Sequence, residues 1–471
     1  MHSAFDLGFR TTEKELNCDQ LPVQGRIPTW LQGTLVRNGP GTFEIGQQSY
    51  RHWFDGLAML HRFSFAEGNV SYANKFLNTK AYREAMETGR ISYSEFATDP
   101  CRSLFSRISS VFSPQITDSA KVSVTRVADR FMALAETPIQ VEFDPQTLQA
   151  VGVFNYEERL TGQMTTVHPQ FDSARDEMYN VVTRYHRLSH YNVYKMVGGG
   201  QPQQVASLPV KKPAYMHSFG MTDRAIILTE FPLVVNPLSL LLWLKPYIEN
   251  FNWEPQRGTP FWVINRHNGQ LVGRFESEPF FAFHHVNAFE ENDQLVVDLV
   301  AYDDAEIITT YYLNRLQDET LEVPFGQLRR YRIPLNGGAV SYETLSQSCM
   351  ELPHFDAARF NRRPDYRYVY AISINPQQRQ GFYNQLIKFD IKSATEKTWY
   401  TAGCYPGEPV FVANPEGTAE DDGVILSVVL DTNQGNSFLL VLDAATFSEI
   451  ARATIPQPVL FGYHGAFFGG I

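Results

Sequence analysis

Short runs of aliphatic, β-branched and aromatic residues recur along the chain, each bounded by Gly, Asp, Asn or Pro. Phe131–Glu136, Met178–Arg184, Ala225–Glu230, Leu295–Tyr302, Tyr366–Ile372 and Val424–Leu430 follow turn aspartates at Asp129, Asp176, Asp223, Asp293, Asp365 and Asp422. Such runs predict β-strands entered from tight turns. The aspartates stand 47, 47, 70, 72 and 57 residues apart. The first two spacings match the roughly 40–50 residues of a β-propeller blade, and the longer three require insertions between strands. Six such units, with the chain ends closing on each other, predict an all-β propeller of about seven blades. No low-complexity linker divides it, so residues 1–471 are expected to form a single domain. A pair of sandwiches, or another all-β array, is the alternative such strands leave open.

Two stretches break the strand pattern. In Cys101–Pro114, Leu104, Phe105, Ile108, Val111 and Phe112 fall at helical spacing beside Arg102 and Arg107, which predicts a short amphipathic helix. Pro232–Phe251 holds the run Leu238–Leu244, with Leu241, Leu242 and Trp243, then Lys245, bracketed by Pro237 and Pro246. Either an internal lid on the propeller face or a surface that dips into lipid accounts for these segments near 101–114 and 232–251. The expected architecture is a seven-bladed β-propeller with a helical and loop cap over the face carrying the active-site entrance.

Composition narrows the classes. With 43% hydrophobic residues the chain can bury a large core, which excludes disorder. A formal charge of −11 and no basic stripe argue against nucleic acid as a partner. Cys18, Cys101, Cys349 and Cys404 form no close pair, as expected of reduced thiols in the cytoplasm. Residues 1–20 have neither signal- nor transit-peptide character. No run approaches the roughly 18–20 apolar residues that span a bilayer, so any membrane association is expected to be peripheral.

Histidines supply the candidate chemistry. His168, His217 and His284 stand eight, six and nine residues ahead of the turn aspartates Asp176, Asp223 and Asp293, and His464 lies in the last β-like segment, Leu460–Phe468. The innermost strands of propeller blades line one axis, so residues at equivalent places converge however distant in sequence. Four neutral imidazoles suit Fe(II), Zn(II) or Cu(II), and a set without carboxylates leaves an octahedral ion open positions. Adjacent strand residues face opposite ways, so only one of His284 and His285 reaches the axis; periodicity leaves the choice open. Glu351 and Glu408 each stand 14 residues ahead of Asp365 and Asp422, and Glu136 ends the strand after Asp129. They are candidates to accept the second ring N–H of metal-bound histidines, or else ordinary blade-to-blade ion-pair partners.

The motifs Arg37-Asn38-Gly39-Pro40-Gly41, His52-Trp53-Phe54-Asp55-Gly56, Val167-His168-Pro169 and Met216-His217-Ser218-Phe219 stand in order along the chain. Phe283-His284-His285-Val286-Asn287, Gly407-Glu408-Pro409, Glu420-Asp421-Asp422-Gly423 and Tyr463-His464-Gly465 follow them. In this order and spacing the chain resembles the carotenoid cleavage oxygenases over nearly its whole length. The resemblance implies a seven-bladed propeller with one non-haem Fe(2+) per chain on His168, His217, His284 and His464, and it selects His284 over His285. It implies outer carboxylates at Glu136, Glu351 and Glu408; in Glu351-Leu352-Pro353 the family often has Phe at the middle position. Asp99-Pro100-Cys101-Arg102 is similar to a membrane-binding motif of the family's animal branch, with Arg where Lys is frequent, and Leu238–Leu244 falls at another apolar membrane-facing patch.

Oxidative cleavage of a carbon–carbon double bond in a carotenoid or apocarotenoid follows from the resemblance, with O2 and the polyene as reactants and two carbonyl compounds as products. Phe54, Phe281 and Phe283 are candidates to line the substrate tunnel, with core packing as the alternative. Leu104, Phe105, Phe112, Leu241, Leu242 and Trp243 are candidates for contact with a membrane surface. A retinoid isomerohydrolase or a stilbene-cleaving oxygenase on the same scaffold, and more distantly a non-enzymatic binding propeller, are the rival expectations.

Overall fold

The computed structural model describes residues 4–12, 14–100, 117–154, 161–241, 245–318 and 320–471. Nearly every strand pairs antiparallel with its neighbour in sequence, so sheet order follows chain order. Seven sheets of four or more strands result, and they are the blades of a β-propeller. Blade I holds Gly33–Thr42, Leu57–Ala66 and Asn69–Phe76; blade II runs from Ser123–Val127 to Ala150–Val153. Blade III runs from Met164–Thr165 to Gln203–Val210, blade IV from Gly220–Met221 to Leu271–Ser277, and blade V from His285–Glu291 to Ser341–Thr344. Blade VI runs from Glu351–His354 to Thr395–Tyr400, and blade VII from Cys404–Pro406 to Glu449–Ile455.

Both chain ends close the ring. Gly465–Phe468 pairs with Gly33–Thr42 at the inner edge of blade I, with Gly465 opposite Arg37. Val23–Gly25 pairs with Glu449–Ile455 at the outer edge of blade VII. Two strand pairings therefore join residues more than 400 apart in sequence, and no blade is left open at the seam. Burial follows radius: Ala225–Thr229 and Gly423–Asp431 are buried throughout, whereas the outermost strand Thr395–Tyr400 buries only Trp399. Exposed Glu396 and Lys397 on that edge oppose pairing with other chains.

The long turn spacings resolve into insertions. In blade IV, residues 230–258 carry the small hairpin of Leu233–Val235 with Phe251–Trp253 and the helix Pro237–Leu241. In blade V, the helices Glu306–Thr310 and Leu313–Leu316 lie between Gln294–Ala301 and Gln327–Pro334. The stretch 101–114, with Leu104, Phe105 and Phe112, lies outside the described residues, as do Leu242 and Trp243; Leu241 ends its helix. Among the described residues no helix is long and apolar enough to cross a membrane.

The longest of the described helices departs from the sequence expectation. Lys80–Thr88 is α-helical where only strands were expected. Thr79 caps it by accepting from Tyr82 N–H at 3.1 Å, and Gly89, at φ 62°, ends it with an N–H bond to Ala85. Its buried residues are Ala81 and Ala85 alone, so it lacks the stripe of large apolar residues by which helical periodicity is recognised.

An ion cluster ties the blades together at the end of the inner strands away from their histidines. Arg266 of blade IV is buried against Asp172 of blade III and reaches Glu177 at 3.3 Å. Arg175 holds the Asp172 carboxylate at 2.7 Å and Arg362 approaches it at 3.6 Å. Burial works to raise the Asp172 carboxyl, but the bonds from Arg266 and Arg175 outweigh it and bring the group down to about 2. A carboxyl depressed from an unfolded value of about 3.9 contributes about 2–3 kcal/mol above that value, lost as pH falls through the folded one. The Asp172→Asn variant is therefore expected to be less stable than the parent at pH 6. The difference in denaturant midpoint should narrow between pH 4 and 2; a gap constant down to pH 2 would exclude this linkage.

Candidate metal centre

Four histidines meet on the axis, each at or just ahead of the start of an inner strand. His217 lies three residues before Gly220–Met221, and His284 and His464 immediately precede His285–Glu291 and Gly465–Phe468. His168 sits between Met164–Thr165 and Gln170–Asp172, where the innermost strand of blade III is interrupted. Backbone bonds hold these entry points to neighbouring blades. Val167 N–H donates to the His217 carbonyl at 3.2 Å, and His464 N–H to the Val122 carbonyl at 3.2 Å. One nitrogen from each of the four rings lies within 4.8 Å of the others. His284 Nε2 and His464 Nε2 are 3.2 Å apart; neighbouring ligands on one ion at about 2.1 Å would stand at about that separation.

Three of the rings are oriented from behind by glutamates. His217 Nδ1–H donates to Glu136 at 2.7 Å, His284 Nδ1–H to Glu351 at 2.6 Å, and His464 Nδ1–H to Glu408 at 2.7 Å. With the proton on Nδ1, the Nε2 lone pair of each ring is free for a ligand bond. The carboxylates are themselves held. Glu136 accepts from the Tyr215 hydroxyl, Glu351 from the Tyr302 hydroxyl at 2.7 Å and Leu352 N–H at 2.8 Å, and Glu408 from Gly465 N–H at 2.7 Å. Sequence reasoning missed both tyrosines. Tyr215 had a readable signal, since it stands two residues before His217 and so on the same side of extended chain. Tyr302 had none, because its partner lies 49 residues away on the next blade.

His285 points elsewhere. The Ser218 hydroxyl donates to the Phe283 carbonyl at 2.6 Å, so it accepts from His285 Nδ1–H at 2.7 Å. His285 Nε2 then accepts from the Thr229 hydroxyl at 2.8 Å. Both nitrogens are used within the protein, which leaves no lone pair for an ion.

The site is electrostatically prepared for a cation. Burial lowers the imidazoles of His168 and His464 far below their ordinary value, assisted by the neighbouring rings, and lowers His217 against the pull of Glu136. Neutral imidazole is the ligand form. Burial works to raise Glu351, but His284 and the bonds it accepts bring it below its ordinary value. Glu408 is raised by burial, which Arg37 and His354 oppose. His168 Nε2 is buried with no hydrogen-bond partner among the described residues. An orphaned buried nitrogen is costly, and here it belongs to the four-nitrogen cluster. The donor set therefore fits a transition-metal ion held by four imidazole nitrogens, with three glutamates behind three of the rings.

A cavity of about 210 Å³ opens onto this centre; His217, His284 and His464 form part of its wall. Phe54 and Phe283 line it, with Phe54 stacked on His217 at 6.5 Å between ring centroids. Phe281 does not line it. Its ring is fully buried behind Phe283 at 5.0 Å and beside Tyr215 at 6.2 Å, so Phe283 stands between it and the cavity. From the blade IV insertion, Leu240, Lys245 and Tyr247 also line the cavity.

Comparison with known proteins places this architecture. The family model described as retinal pigment epithelial membrane protein (RPE65) matches residues 9–469. The mitochondrial carotenoid-cleaving dioxygenase of Macaca fascicularis is 34% identical over 94% of this chain and 91% of its own. The carotenoid isomerooxygenase of Galleria mellonella is 34% identical over 94% and 92%. Among solved structures, cobalt-substituted apocarotenoid oxygenase from Synechocystis superposes with a TM-score of 0.89 at 27% identity, covering 99% of this chain and 98% of that one. Matched nearly end to end in sequence and in fold, the chain belongs to the family of the retinal pigment epithelial membrane protein and the carotenoid oxygenases.

Proposed function

We propose that the protein is a non-haem iron dioxygenase that cleaves a carbon–carbon double bond of a carotenoid or apocarotenoid with O2, giving two carbonyl products. The observation that carries this reading is the convergence of four histidine nitrogens, three of their rings in the wall of an apolar cavity. His168, His217, His284 and His464 would hold the Fe(2+), one per chain, with Glu136, Glu351 and Glu408 behind three of them. When bound, the iron supplies activation of O2 beside the polyene. The two oxygen atoms end on the two carbons of the broken bond, so no external reductant is needed.

The chain's own part is to position and to exclude water. Phe54 and Phe283 offer flat faces beside His217, against which a conjugated chain packs. The glutamates keep the Nδ1 protons away from the reacting side of the rings. No protein acid or base has to act, because the substrate gains no proton on cleavage. A substrate of this class dissolves in lipid, so peripheral docking on a membrane belongs to the same reading. Leu240 and Lys245 of the blade IV insertion border the cavity, and Leu238 of the same helix is 53% exposed, which supports this face as the docking side.

The test is product analysis. Iron-loaded protein incubated with β-carotene and a series of apocarotenals is expected to consume one O2 per double bond and yield aldehydes whose carbon counts add up to the substrate's. Conversion of a retinyl ester without O2 uptake would replace this reading with isomerohydrolysis. Turnover that needs no metal would remove the oxygenase reading altogether.

A further inference from the structure

The cavity wall carries an ion pair that the metal centre does not use. Glu95 and Lys121 both line the cavity, both side chains are almost wholly buried, and Lys121 Nζ lies 2.5 Å from Glu95 Oε2. The Thr117 hydroxyl donates to the other Glu95 oxygen at 2.8 Å. An ammonium group has three donors, and Glu95 is its one hydrogen-bond partner among the described residues. Two N–H groups are thus left without an acceptor among the described residues, in a wall otherwise rich in Phe54, Phe96, Phe283 and Leu240.

A buried pair of this kind is a weak source of stability, since apolar residues of similar size serve a core as well. Its place in the molecule is more informative. Lys121 precedes Val122, whose carbonyl accepts from His464 N–H, and Thr117 is held through its carbonyl by the hydroxyl of Thr137, the neighbour of Glu136. Both members are therefore braced by segments that also build the metal centre.

We propose that the Lys121–Glu95 pair is a recognition site for an oxygen function of the substrate. The carbonyl or hydroxyl of an oxygenated polyene accepts a hydrogen bond from an ammonium N–H that Glu95 leaves free. Glu95 aims the lysine, and Thr117 fixes Glu95. The protein thereby prefers an aldehyde- or alcohol-terminated apocarotenoid over a pure hydrocarbon of equal length. The identity of the ligand rests on the oxygenase reading above; the preference for an oxygenated ligand does not require turnover.

Equilibrium binding, followed by quenching of protein fluorescence, tests the two separately. The probes are an apocarotenal and a hydrocarbon polyene of matching conjugated length. The wild-type protein is expected to favour the aldehyde by about tenfold, as a hydrogen bond to a charged group implies. In the Lys121→Met/Glu95→Gln variant that preference should fall to about twofold or less. A preference that survives in the variant, or equal losses for both probes, overturns the proposal. Wild-type protein that shows the preference but cleaves neither probe upholds the recognition site and removes the oxygenase reading; cleavage of both without preference does the reverse. Should the double variant not fold, Thr117→Val deletes only the hydroxyl that steadies Glu95. It is expected to reduce the preference about threefold, and an undiminished preference counts against the site.

Discussion

Replacing His284 by alanine should empty the metal centre, whereas replacing its neighbour His285 should leave the metal in place and weaken the fold. The difference follows from what each ring touches. His284 Nε2 faces His464 Nε2 at 3.2 Å, with Glu351 behind it. His285 is held between the Ser218 and Thr229 hydroxyls. Loss of one direct ligand is expected to reduce activity by more than the roughly 10–100-fold typical of outer partners, and His217→Ala should behave like His284→Ala. His285→Ala should cost about 2–4 kcal/mol, because it strands the buried Thr229 hydroxyl and opens a cavity. Metal content by mass spectrometry, beside the thermal unfolding midpoint, separates the two. A His217→Ala or His284→Ala protein with full metal and normal turnover would remove that residue from the ligand set, and a metal-free His285→Ala protein would reverse the assignment.

The second large effect is expected at Glu351. This carboxylate accepts from His284 Nδ1–H at 2.6 Å, Tyr302 hydroxyl at 2.7 Å and Leu352 N–H at 2.8 Å, all out of contact with solvent. In Glu351→Gln one oxygen becomes an amide, which donates where the site needs an acceptor. His284 then keeps at best a neutral amide oxygen, a weaker acceptor than the carboxylate, and metal affinity should fall about 10–100-fold. Tyr302→Phe removes one bond to the carboxylate and leaves the His284 contact intact, so a smaller loss is expected, about threefold to tenfold. Competitive chelator titration reads both. Equal affinities for parent and Glu351→Gln would mean that the carboxylate serves only to pair blades.

How much of this was legible beforehand varies with the range of the interactions concerned. The runs after Asp176, Asp223 and Asp293 are strands within a residue or two of the expected bounds, because each is a local hairpin whose apolar content suits a buried second strand. The spacing of turn aspartates was enough to locate the insertions in blades IV and V. The helix Lys80–Thr88 was missed because its buried face is two alanines. Phe281 looked equivalent to Phe283 in sequence, yet one sits behind the other.

The sequence by itself determined the repeating strands, the approximate number of blades and the histidines that belong to four of the inner strands. All of these depend on contacts within a single hairpin, where a period of two and a turn residue suffice. Periodicity left His284 and His285 open and the family resemblance selected His284; only the tertiary structure gave His285 its own partners, supplied Tyr215 and Tyr302 to the glutamates, and put Lys121 against Glu95 in the cavity wall. Those choices are made between segments that meet only when the first blade receives the last strand. Until Gly465–Phe468 is laid beside Gly33–Thr42, His464 has no axis to face.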